Sequence, residues 1–251
     1  MKNLVFVFCL LGSLVLGYGY FNTWWQFIPS TLLILGFTCL FFPGNWKKYL
    51  GIDFPLQEFF GAALLCCLFS LISYFVIQHS LSSEYTLGWN PDGWGFLLFV
   101  NNLFQSLNEE LIFRALLINL LLYWGVKQWK IIVFPALFFS LLHWVFYRFN
   151  VSSENQGSLS FSALCSLFFF GLSVGLIFLK SKKVLIPWAL HAAWNFNRFR
   201  IIKVEAPSER INEALTFNVI EGSLGVVVLS FVLLVICYFF YRFSEIYMSV
   251  H

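Results

Sequence analysis

The sequence predicts an all-α membrane protein, a polytopic helical bundle of about eight transmembrane helices forming one integral domain over residues 1–251. Three observations predict it. Of 251 residues, 60% are hydrophobic and 21% aromatic, while only 11% are charged, less than half the roughly 25% of a soluble domain. The mean hydropathy is +0.80, so a water-soluble globule of this composition would leave large apolar patches exposed. A spanning helix takes about 20 apolar residues, so this length holds about eight spans and no separate soluble domain.

The spans read between charged and turn-forming residues. The first runs over about Asn3–Gly19. It has the length of a signal peptide, but Gly17-Tyr18-Gly19-Tyr20-Phe21 is no small-x-small cleavage site, so a retained helix is expected. The second covers about Gln26–Phe42 and stops at Pro43-Gly44; the third covers about Gln57–Ile77. A polar stretch, Ser80 to Asp92, follows, with Pro91-Asp92-Gly93 as a turn. The fourth is long, about Trp94–Trp124. The fifth is about Ile131–Tyr147, the sixth Leu159–Leu179, the seventh Val184–Phe199 and the eighth Leu224–Tyr241.

A net charge of +3 is too small to argue for nucleic acid as a partner. All six cysteines lie inside apolar runs without a CxxC, as small buried side chains do. Lysine and arginine placement sets the orientation. With a cytoplasmic N-terminus, the tight basic turns Lys47-Lys48, Lys127/Lys130 and Lys180/Lys182-Lys183 all fall inside. Arg148, Arg198, Arg200, Lys203 and Arg210 fall outside, the last four balanced by Glu205, Glu209, Glu213 and Glu221. Both termini are therefore expected in the cytoplasm.

Charged groups at membrane depth are costly and mark functional interiors. The fourth span carries Glu109, Glu110 and Arg114, the fifth His143, and the seventh His191 and Asn195. Glu110 and Arg114 stand at i, i+4 and can pair. Glu109 is about 100° further round the helix and is left without a local partner. Phe139 and His143 share a face, as do His191 and Asn195. Helical rise puts Glu109, His143 and Asn195 in the outer half of the bilayer and His191 near its midplane. Three helices thus present polar groups to a common pocket. A carboxylate without an ion-pair partner among Phe and Leu is suited to act as a base.

Glu109-Glu110-Leu111-Ile112-Phe113-Arg114 reads EExxxR, Phe139 to His143 reads FxxxH, and His191 to Asn195 reads HxxxN. These motifs, in this order on the fourth, fifth and seventh spans, resemble the CAAX-protease and bacteriocin-processing family of intramembrane endopeptidases, which includes the type II prenyl-protein proteases. The resemblance covers about residues 94–200. It implies hydrolysis of a peptide bond in a membrane-associated protein or peptide. Glu109 and His143 would activate the attacking water, and His191 and Asn195 would bind the developing oxyanion. Glu110, Arg114 and Phe139 would support them.

Family descriptions divide between metalloprotease and glutamic-type protease. Glu109, His143 and His191 would be the ligands of a catalytic zinc, but the sequence has no HExxH. The expectation is therefore a glutamic-type enzyme with no cofactor, with zinc as the alternative. The implied partners are the lipid bilayer and a membrane-associated peptide. A non-catalytic immunity or membrane-peptide-binding protein of the same fold is the rival reading. A proton-relay transporter is a weaker one, because no inverted repeat is present.

Overall fold

A computed structural model describes residues 27–81, 85–90, 95–149, 157–198, 202–205 and 213–250. The expected first span lies outside the described residues. The fold is almost entirely helical, as expected, with one addition, a two-stranded ribbon.

In chain order the elements begin with α1 (Phe27–Phe41), a short α2 (Trp46–Leu50) and α3 (Leu56–Ser80). Strand β1 (Thr86–Trp89) precedes α4 (Phe96–Glu110), which continues through a π-helical segment (Leu111–Leu116) into α5 (Leu117–Tyr123). Then come α6 (Gln128–Phe149), α7 (Phe161–Ser181), α8 (Leu185–Phe196), β2 (Ile202–Glu205), α9 (Glu213–Glu221) and α10 (Leu224–Val250).

Four of these helices are long and apolar enough to cross a membrane: Leu56–Ser80, Trp129–Phe149, Phe161–Ser181 and Leu224–Arg242. The path from α4 to α5 is a continuous helix, but it carries Glu109, Glu110 and Arg114. α8 covers Leu185–Phe196, and Asn197 and Arg198 continue it as π-helix. Its 12 residues rise roughly 18 Å, well short of a hydrocarbon core about 30 Å thick. It is nonetheless the element on which the site is assembled.

Local chemistry explains several boundaries. Pro55, extended at φ −72°, starts α3, because proline's missing N–H is no loss at a helix start. Ser160 caps α7 by accepting from the Ala163 N–H at 3.2 Å. α6 and α7 meet where Gly171 faces Ala136, and a Cβ on Gly171 would lie 3.1 Å from Ala136 Cα. Small residues let membrane helices approach this closely.

The connections fall at two ends. At one, the Gly51 carbonyl accepts from the Val184 N–H at 2.9 Å, Lys183 pairs with Glu58, and Asn119 donates to the Tyr49 carbonyl at 2.7 Å. Gly51 adopts φ +67°, and a Cβ there would lie 2.6 Å from the Lys182 carbonyl oxygen, so only glycine fits this turn. At the other end, β1 and β2 pair antiparallel, Gly88 opposite Lys203. There Asn218 of α9 joins the start of α7, accepting from the Ser160 N–H and donating to the Ser158 carbonyl. The basic turns therefore share one end of the bundle, and the ribbon and α9 share the opposite end.

Candidate active site

Four helices, α4, α6, α7 and α8, bring the motif residues together in the buried interior. Glu109, Glu110, Arg114 and His191 are each no more than 4% exposed, and Asn195 and Phe139 are buried as well. His143 is half-buried.

Glu110 is the hub. Its Oε2 lies 3.2 Å from Arg114 Nε, and its Oε1 accepts from His191 Nδ1 at 2.7 Å. The pairing expected within the helix is present, and a contact to α8 is added. Arg114 lies over the Phe139 ring, 4.7 Å from its centroid, and Phe139 packs edge-on against both His143 and His191. One phenylalanine thus walls the guanidinium and both imidazoles. His143 Nδ1 donates to the Phe139 carbonyl at 2.9 Å, which directs Nε2 away from its own helix.

Glu109 departs from the expectation of a separate face. Its Oε2 is 3.4 Å from His191 Nε2, so both carboxylates address the same imidazole from opposite sides. The π-helical segment begins immediately after this pair. Such segments change the turn geometry and recur at functional sites. Neither oxygen of Glu109 makes a hydrogen bond.

A cavity of about 30 Å³ lies in front of the imidazoles, bordered by His143, His191, Asn195, Arg198, Phe217 and Glu221. That volume suits water and is too small for a peptide. Glu109 does not border it. It sits one layer behind, against His191.

Sequence reasoning missed the residues opposite the motifs. Arg198, read as a loop charge, is buried. It lies 3.2 Å from Glu221, donates to the Tyr147 hydroxyl at 2.8 Å, and stacks over Phe217 at 4.1 Å. Trp194 also donates to Glu221, at 3.3 Å. α9 supplies Phe217 and Glu221 to the pocket wall. The i, i+3 spacing of Asn195 and Arg198 was the available signal.

A second, larger cavity of about 790 Å³ lies on the other side of α8, between it, α3 and α4, with an almost wholly apolar lining that includes Cys66, Leu103 and Trp188.

Glu109, His143 and His191 do not form a zinc tripod. Among the described residues no three His, Cys, Asp or Glu side chains converge at metal-binding spacing.

Residues 91–197 match the family model described as type II CAAX prenyl endopeptidase Rce1-like. No curated protein matches the chain. The match covers less than half the chain, but it contains all seven motif residues and the helices that carry them, from α4 to α8. The match supports the resemblance to the CAAX-protease family over that segment.

Proposed function

We propose that this protein is a metal-free intramembrane endopeptidase that hydrolyses a peptide bond of a membrane-associated protein or peptide. The observation that carries the reading is Glu109, a buried carboxylate without a hydrogen bond, held 3.4 Å from Nε2 of His191, the imidazole that borders the water-sized cavity. Glu109 takes the proton of the attacking water, which His143 orients through Nε2. The hydroxyl adds to the carbonyl carbon, and the oxyanion takes donors from Asn195 Nδ2 and His191. The proton then passes to the leaving amine as the C–N bond breaks. Glu110, Arg114 and Phe139 hold His191 in place. The bundle has about eight spans, both termini cytoplasmic, in a bacterial inner membrane.

The test is cleavage of a panel of membrane-anchored reporter peptides by the purified protein in liposomes, read by mass spectrometry. Wild type is expected to cleave, and Glu109→Gln and His143→Ala to retain their fold and lose at least about 10²-fold in rate. Equal cleavage by wild type and Glu109→Gln would overturn the assignment. Binding of a peptide without cleavage would favour the non-catalytic reading.

A further inference from the structure

The α4 helix carries more buried polarity than the hydrolytic motif requires. Asn101 and Asn108, two turns apart, lie on one stripe, and Asn102, Ser106 and Glu109 on the next. All five are buried, none more than 6% exposed. The first stripe faces α1, where Ser30 donates to Asn108 Oδ1 at 3.0 Å. The second faces α8, where Asn102 donates to the Ala192 carbonyl at 3.1 Å and Glu109 meets His191.

Half of this polarity has no protein partner. Asn101 Oδ1, Asn102 Oδ1, Asn108 Nδ2, Thr31 Oγ1 and both Glu109 oxygens are buried without a hydrogen bond. Buried polar groups are rarely orphaned, and least of all in a bilayer, where nothing outside the protein satisfies them. Donors and acceptors are mixed along the row, which is the pattern water can satisfy. The row spans nine residues from Asn101 to Glu109, a rise of roughly 12 Å over eight steps, and runs from the catalytic centre towards the ribbon end.

Hydrolysis consumes one water per turnover, and the front cavity has no reserve. It is water-sized and walled by Phe217 and the Arg198–Glu221 pair. A bound peptide would displace what it holds. We propose that the polar row of α4 is a hydrated track, a file of bound water between α1, α4 and α8 that supplies Glu109 from behind while substrate fills the front. This rests on the reading of Glu109 as the base.

Hydroxyl-radical footprinting of the full-length protein in nanodiscs tests the track without any cleavage assay, since buried side chains are oxidised where water lies beside them. Oxidation of the α4 peptide from Asn101 to Leu111 is expected well above that of Ile118, which is equally buried. It should collapse in Asn101→Leu/Asn108→Leu. The same pair should lower kcat about tenfold with KM unchanged, and Asn101→Ser/Asn108→Ser should restore it. Oxidation of the wild-type peptide no faster than Ile118 would overturn the track and leave the protease reading standing. Strong oxidation with normal cleavage by Glu109→Gln would instead overturn the role of Glu109 and leave the hydrated row in place.

Discussion

His191 and Glu110 stand 81 residues apart and share a 2.7 Å hydrogen bond, which ties α8 to the hinge between α4 and its π-helical continuation. Glu110 also faces Arg114 at 3.2 Å. It therefore holds the guanidinium of the π-helical segment and the orientation of the central imidazole at once.

Glu110→Ala is thus expected to act first on folding. It strands the buried Arg114 charge, a loss of about 3–5 kcal/mol, and frees His191 to rotate. Thermal unfolding in detergent should show a large drop for Glu110→Ala and little change for Glu109→Gln, whose carboxylate makes no hydrogen bond to lose. Equal stability of the two variants would remove the distinction between supporting and reacting carboxylates.

Metal removal separates the glutamic from the metallo reading. Phenanthroline, at concentrations that strip accessible zinc, should leave cleavage unchanged, and purified active protein should contain far less than one zinc per chain. Stoichiometric zinc that tracks activity would overturn the glutamic reading and require the three ligand candidates to converge.

The buried pair of Arg198 and Glu221 makes a third prediction. Arg198→Met or Glu221→Leu alone leaves the partner's charge stranded and should cost about 3–5 kcal/mol. The double variant removes both charges and should recover much of that loss, because a buried ion pair is often replaceable by apolar side chains. Additive losses in a double-mutant cycle would show that the two side chains stabilise the fold independently.

The helices were legible because apolar runs and i, i+4 spacings are local properties. The ends of α3, α6 and α7 fall within a few residues of the expected spans, and all seven motif residues lie on the helices anticipated for them. What was illegible depends on docking. The 100° separation of Glu109 and Glu110 is correct for an isolated helix, yet both reach His191, because α8 packs beside α4 where the π-helical segment begins. Arg198 reads as a loop charge until Glu221, at the end of α9, folds back over it. The ribbon was missed for the same reason. Neither Thr86–Trp89 nor Ile202–Glu205 is a strong strand alone, and each is a strand only beside the other.

Sidedness supplies the last prediction. Lys47-Lys48, Lys127/Lys130 and Lys180/Lys182-Lys183 lie in turns that the fold gathers at one end of the bundle, through contacts such as Gly51 with Val184 and Asn119 with Tyr49. The ribbon and α9, whose Phe217 and Glu221 border the site, gather at the other. Short basic loops stay in the cytoplasm, so the catalytic cavity should lie towards the non-cytoplasmic face, beneath α9. That placement suits a substrate exported or anchored at the outer surface, and it differs from a cytosolic prenylated tail. With the native cysteines replaced, Lys203→Cys on the exposed ribbon should react with an impermeant thiol reagent in intact cells, and Lys48→Cys only after lysis. The reverse pattern would turn the cavity to the cytoplasm and return a prenylated cytosolic peptide as the substrate to test first.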